Sequence, residues 1–467
     1  MEEPSWMVPI KVMFHALNHK EVQACSIFNV PEELREANED AYKPKHISIG
    51  PLHKGATRHL HLMEEPKWRY MREFLDRKPE KDRSSENRLT ECGVDILNLN
   101  NVICASYGGS NNNIVQETNS HEITKIMIVD GCFLLELLMK LDDYINNPTT
   151  YNKDSILETE EKIISVLNDI AMLENQIPFV VLKRLFRKVF RDPCRIEDDH
   201  RVAEYVCKAF GYEFVRNTLV RSSGVAHILN LMHLFTVEQS SQDEGKKAKL
   251  ELLRCATQLH ASGVIIQGKS NSTNQNKHNL VDVFDFNICF NDCKLDIPPL
   301  YIKETTEVKW RNLIAWEQSK IGIPSKYTSY ALFFNGLICC EHDIEFLNKK
   351  GVIINKMNKS NEDLLALFRT ISKGAEQMDS SYSEICKRLN VYHYKGKKVT
   401  KMLQKWPIHV WHQCRRIFDI IVYYGRKRYN ILIHDHMPTV WKFIGIVAAA
   451  LLLVLTIMQT YYSSRSH

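Results

Sequence analysis

The sequence predicts a mainly α fold: a large helical body with one small β-hairpin element and one C-terminal transmembrane helix. Three observations predict it. Apolar residues recur at helical spacing through most of the chain. One short stretch, 284–291, alternates apolar and polar residues instead. Residues 443–462 carry no charge at all.

Composition agrees with a folded chain. Of 467 residues, 44% are hydrophobic and 25% charged, which excludes a wholly disordered or collagen-like protein. At about 150 residues per domain the length suits three domains or one large helical body. The net charge of +5 is too mild for a dedicated nucleic-acid surface, so no nucleic-acid partner is expected.

Residues 1–25 form a lead segment. It opens acidic, and Pro4 and Pro9 interrupt it before any apolar stretch reaches the length of a secretory signal core. The helical domain follows over 26–435. Within it, the polar stretches 78–87, 108–113 and 268–279 read as surface loops. Over 155–176, Ile156, Ile163, Leu167, Ile170 and Ala171 fall on one helical face, and Ser155 with Glu158 resembles a capping box. Pro178 ends that helix and opens the next, over 179–190. Residues 250–260 read as a helix ended by Ser262 and Gly263. Phe284, Phe286, Ile288 and Phe290 then alternate with polar residues, giving a half-buried strand. A turn at 291–294 leads into a second strand, so a hairpin is expected over about 283–297.

As a helix, 443–462 would span about 30 Å, one hydrocarbon core. Trp441 and Lys442 border it on one side and Tyr461 and Tyr462 on the other, residue types that favour the membrane interface. Lys405, Arg415, Arg416, Arg426, Lys427 and Arg428 precede the span, whereas only Arg465 follows it. The positive-inside rule then places the body in the cytosol and the 463–467 tail outside or in a lumen. The expected layout is single-pass and tail-anchored, in the plasma membrane or an endomembrane. The 13 cysteines show no regular framework, as expected of reduced thiols. Sequons at Asn271 and Asn358 would be glycosylated only in the opposite orientation. Gly445 and Ala449 form a small-x-x-x-small pair, the spacing of a span that dimerises.

Four patterns resemble chemistry. Residues 263–270, GVIIQGKS, match the phosphate-loop spacing, but that loop needs a strand before it and a helix after it. Here Val264, Ile265 and Ile266 read as strand, and a polar run follows. Cys289 with Cys293, and Cys339 and Cys340 with His342, are locally dense, as are His15 with His19 and His434 with His436. No C-x-x-C or H-E-x-x-H is present, so these read as structural and no cofactor or metal is expected. Cys132 is the most provocative thiol, with Asp130 two residues before it, yet the strongly apolar run FLLELLMKL after it favours burial. Glu174, Asn175 and Gln176 stand at a helix junction, where they would satisfy orphan backbone groups or bind a ligand.

Several blocks, taken in order, carry a family likeness: VPEELREANEDAYKPKHISIGPLHKG (30–55), MEEPKWRYMREFL (63–75), IVDGCFLLELL (128–138), LNDIAMLENQIPFVVLKRLF (167–186), CATQLHASGV (255–264) and LDIPPLYIKETTEVKWRNLIAWEQ (295–318). The chain resembles the plant domain-of-unknown-function 247 family over nearly its whole length. Lys54 stands where members often carry a second histidine after His53, and CATQL stands where they carry Thr/Ser-Ala-Thr-Glu-Leu. The resemblance implies a largely helical plant protein with one C-terminal span and no established activity. Some grass members are implicated in self-incompatibility.

The expected function is therefore a membrane-anchored, non-enzymatic recognition or signalling adaptor that works by protein–protein contact. Its expected partners are the bilayer through 443–462, an unidentified protein, and a second copy of itself. The alternatives are a membrane-associated enzyme using Cys132 or Asp130 with Glu174, and a cell-surface recognition determinant like the grass members.

Overall fold

The computed structural model describes residues 24–77, 84–108, 119–147, 154–190, 195–212, 214, 224–238, 247–248, 252–269, 284–320, 322–357, 359–375 and 378–392, with single positions before residue 24. The chain divides into two units, Met1–Lys395 and Gly396–His467. Trp441, Lys442, Gly445, Ala449, Tyr461 and Tyr462, together with the 443–462 span, lie outside the described residues, as do Asn271 and Asn358. Among the described residues no helix is long and apolar enough to cross a membrane.

The body is mainly helical, as expected. A single turn, α1 (Glu32–Arg35), precedes α2 (Glu64–Asp76), α3 (Ser85–Asn98) and α4 (Asn100–Ser106). Ser84 caps α3 by accepting the Asn87 amide, so the end of the expected 78–87 loop is already a helix start. The longest helix, α5 (Ser120–Asn146), is buried on all sides from Ile126 to Leu141. Such burial marks a central helix. Around it pack α2, α3, α7 (Phe179–Phe190) and α8 (Arg195–Ala209). Gly131 lets α7 approach: a β-carbon there would meet Leu185 Cδ1 at 2.5 Å.

Between α5 and α7 lies α6 (Glu160–Ile170). Its cap is Thr159, which accepts the Lys162 amide at 3.3 Å, and not Ser155 as the spacing suggested. Asp154 is the reason. Its Oδ1 accepts the Ile156 and Leu157 amides at 2.9 and 3.1 Å, which fixes 154–158 as a turn. The predicted apolar face is buried, and α7 has the predicted bounds.

The later part of the body comprises α9 (Ile228–Glu238), α10 (Ala256–Ala261), α11 (Glu304–Ser319), α12 (Lys326–Leu337), α13 (Glu341–Lys349), α14 (Asn361–Thr370) and α15 (Ser380–Val391). Here α10 is shorter than the helix expected over 250–260. The Leu253 amide donates to Asn390 Oδ1 at 2.9 Å, a tertiary bond that holds this backbone out of the helix, and the Arg254 guanidinium donates to the Tyr392 carbonyl at 2.8 Å. Gly263 ends the turn after α10 at φ 97°, where glycine carries no steric cost.

Among the described residues there are seven short strands: β1 (Lys247–Ala248), β2 (Ile265–Gly268), β3 (Cys289–Asn291), β4 (Lys294–Ile297), β5 (Leu300–Ile302), β6 (Ile353–Asn355) and β7 (Met378–Asp379). The expected hairpin is β3–β4, antiparallel with Phe290 opposite Leu295. β2 adds to it in parallel, Ile266 opposite Leu295. β5 pairs parallel with β6, and β1 antiparallel with β7. The first strand is shorter than expected because Phe284 and Phe286 pack onto helices: Phe286 lies edge-on to Tyr327 at 4.7 Å, and Phe284 lies 5.2 Å from Trp310.

Candidate functional site

Residues 47–49 lie between bends at 45–46 and at 50, outside any helix or strand, and Ile47 and Ile49 are fully buried. Buried backbone amides need partners. Here side chains supply them. Asp169, at the end of α6, accepts the Lys45, His46 and Ile47 amides, the last two at 2.6 and 2.8 Å on Oδ2. Asn175 Oδ1 accepts the Ile49 amide at 2.6 Å, and its Nδ2 donates to the Ile47 carbonyl at 3.0 Å. Asp130 Oδ2, from the centre of α5, accepts the Gly50 amide at 2.9 Å.

Two cations complete this carboxylate array. Lys67 of α2 is 1% exposed; its Nζ lies 2.9 Å from Asp130 Oδ1 and donates to the Ser48 carbonyl at 2.5 Å. Burial pushes the Asp130 carboxyl up, and Lys67 works against that shift. Glu174 Oε1 accepts the Val30 amide at 2.5 Å and is paired with Arg35, while His53 Nε2 lies 3.2 Å from Oε2. Burial opposes ionisation of Glu174, but hydrogen bonds from His53, Arg35 and Val30 win and hold its carboxyl below the ordinary value. Gln176 donates to the Ile170 and Met172 carbonyls at 2.6 and 2.8 Å, and its own carbonyl accepts from Tyr107 Oη. The Glu174-Asn175-Gln176 triplet therefore satisfies backbone on both sides of the junction before α7.

This arrangement binds chain to chain. Asp130 and Glu174 each face a backbone amide and a cation of the same N-terminal segment. Cys132 is 0% exposed in the apolar core, and burial drives its thiol well above the ordinary thiol range, away from the reactive thiolate. The phosphate-loop pattern fails on geometry: Ile265–Gly268 is the edge strand β2, not a loop. Gly268 also sits so close to the turn after α13 that a β-carbon would meet the Gly351 carbonyl oxygen at 2.0 Å, and Lys269 Nζ lies 3.6 Å from Asp296. Cys289 opens β3 and Cys293 lies within the β3–β4 turn. His15, His19, His434 and His436 lie outside the described residues.

Sequence reasoning missed Asp169, Lys67 and Arg35. The available signal was the stretch 44–51, which reads as a short strand but has no partner strand in the sequence near it.

Residues 27–455 match a family described as a plant protein of unknown function. The chain belongs to this plant family. The domain-of-unknown-function 247 likeness thus extends over the array, the later strands and the segment beyond residue 392. Among similar proteins is a UPF0481 protein of Arabidopsis thaliana, 26% identical over 458 residues that cover 94% of this chain and 86% of that protein. A second UPF0481 protein of the same plant is 21% identical over 570 residues, covering 98% and 94%. No solved structure matches. Neither relative's name states an activity, so the domain-of-unknown-function 247 assignment carries a fold and a lineage but no reaction.

Proposed function

We propose that the chain is a membrane-tethered recognition or signalling adaptor that acts by protein–protein contact. One observation carries the adaptor reading: Asp130, Glu174 and Cys132, the groups of the sequence best suited to chemistry, are all taken up by internal contacts. The tether rests on the uncharged run 443–462, bracketed by Trp441 and Lys442 and by Tyr461 and Tyr462. The basic residues before that run favour a cytosolic body. Pairing of two copies through Gly445 and Ala449 belongs to the same proposal.

Fractionation of cells expressing the full chain tests the tether. The protein should stay in the membrane pellet through alkaline carbonate, and a variant lacking 443–462 should move to the supernatant. Proximity labelling from the full chain tests the adaptor. The same neighbours should be recovered from a Cys132→Ala variant; loss of that set with the fold intact would favour an enzyme working through this thiol. A double Gly445→Leu, Ala449→Leu variant of unchanged oligomer size would remove the dimer.

A further inference from the structure

The N-termini of α10 and α13 meet, and three thiols gather there. Cys255 immediately precedes α10, and Cys339 and Cys340 immediately precede α13. Cysteine is an unusual choice in cap positions, where Ser, Thr, Asp and Asn prevail because their oxygens accept the free amides. Here Cys255 and Cys340 face the Gln258 and Asp343 amides through sulfur, and oxygens of other side chains answer further amides. Asp343 of α13 accepts the Thr257 amide of α10 on Oδ1 at 2.9 Å, and the Cys339 and Cys340 amides on Oδ2 at 3.0 and 3.3 Å. Gln258 Oε1 accepts the Cys255 amide at 3.2 Å. Cys339 stands one residue before the cap position of α13, on the Cys255 side of the junction.

Cys255 Sγ, Cys339 Sγ and an Asp343 carboxylate oxygen all lie within 4.8 Å of one another. Two sulfurs bound to one tetrahedral zinc stand about 3.8 Å apart, given Zn–S bonds of about 2.3 Å. Small side-chain adjustments would therefore close the set around one ion. Burial suits it too: Cys255 and Asp343 are buried, and Cys339 is half-buried, leaving an approach from solvent. Arg369 donates to the Cys339 carbonyl at 3.1 Å, and Thr257 Oγ1 lies 3.4 Å from Cys255 Sγ.

We propose that Cys255, Cys339 and Asp343 form a zinc site joining α10 to α13, with the fourth position open to water. Two thiolates and a carboxylate are a borderline-soft set that suits Zn²⁺ over Mg²⁺ or Ca²⁺. Cys340 lies outside the set, its Sγ 3.6 Å from Asp343 Oδ2. The ion would bridge residues far apart in sequence, one from each side of the β2–β4–β3 sheet segment.

The test uses the full-length chain purified in detergent under reductant, stripped of metal and titrated with Zn²⁺ and with Co²⁺. One equivalent should bind, and the cobalt form should show a thiolate-to-metal charge-transfer band with the visible bands of a tetrahedral ion. Cys255→Ser retains a good cap residue, so the fold should survive while zinc affinity falls by about 100-fold or more. Cys339→Ser should do the same. Cys340→Ser should leave affinity within a few-fold. Absence of stoichiometric zinc binding, or binding that Cys255→Ser leaves unchanged, overturns the proposal. So does a Cys255–Cys339 disulfide that re-forms quantitatively in the presence of excess Zn²⁺, since the pair would then be a redox couple.

Discussion

The Gly50 amide donates to Asp130 Oδ2 across 2.9 Å, tying the N-terminal segment to the middle of the central helix. Gly50 holds a φ of 75°, and a β-carbon there would meet the Gln176 carbonyl oxygen at 2.5 Å. Both features demand glycine. Gly50→Ala should lower unfolding free energy by about 2 kcal/mol or more, read from the midpoint of urea denaturation. Asp130→Asn leaves buried Lys67 with only the partly exposed Glu64 carboxylate, 2.8 Å away, and the loss should be about 2–4 kcal/mol. A stability within error of the parent for either variant would show that the array is not a structural tie.

Glu174 gives a pH signature. Its carboxyl is held below the ordinary value, so its contribution is present above that value and lost as pH falls through the lowered one. Glu174→Gln should therefore destabilise the body at neutral pH by about 1–3 kcal/mol, with the difference from the parent shrinking in acid. Denaturant titrations of both proteins from pH 7 downward measure this. A constant difference would mean that packing, not charge, ties Glu174 to Arg35 and His53.

His227 gives a second signature of the same direction by a different route. Its Nε2 lies 3.1 Å from the Ser26 carbonyl and its Nδ1 accepts the Asn230 amide at 3.2 Å, an arrangement only the neutral ring can make. Burial lowers its pKa from 6.5 to about 3. The unfolded chain therefore takes up a proton below pH 6.5 that the folded chain refuses. Stability from this group is full above that pH and falls by about 1.4 kcal/mol per unit toward pH 3. His227→Gln should flatten the stability–pH curve by one proton in that window; an unchanged slope contradicts the assignment.

Thiol accessibility separates structural from reactive cysteines. Cys132 is wholly buried and Cys289 exposed. Iodoacetamide on the native chain, read by peptide mass spectrometry, should label Cys289 and spare Cys132. Rapid labelling of Cys132 would reopen its candidacy as a nucleophile.

What the sequence revealed followed periodicity, and what it hid depended on distant partners. The helix Phe179–Phe190 was legible because Pro178 and an apolar stripe define it locally, and the β3–β4 hairpin because alternation and a turn sit side by side. The cap of α6 was misread because Asp154 is anchored by Lys140 and Tyr70, residues of other helices, at 2.8 and 2.5 Å. The start of α10 was misread because Asn390 captures the Leu253 amide just before it. The role of Glu174, Asn175 and Gln176 as junction groups followed from the orphan groups of any helix end. Asp169 gave no such clue, since an aspartate within a helix looks like a solvated charge until residues 45–47 arrive against it. Cys255 was invisible for the same reason: only the meeting of α10 and α13 places it beside Cys339.

The proposed tether, 443–462, would hold the body on the cytosolic side of a membrane. Protease protection of sealed membrane vesicles, with a tag at each end and glycosidase treatment in parallel, tests it most directly. The account predicts that the N-terminal tag and body are digested without detergent, that the C-terminal tag is protected, and that glycosidase shifts no band. A protected body carrying glycan on Asn271 or Asn358 would contradict it, and would make the chain a lumenal or cell-surface recognition protein.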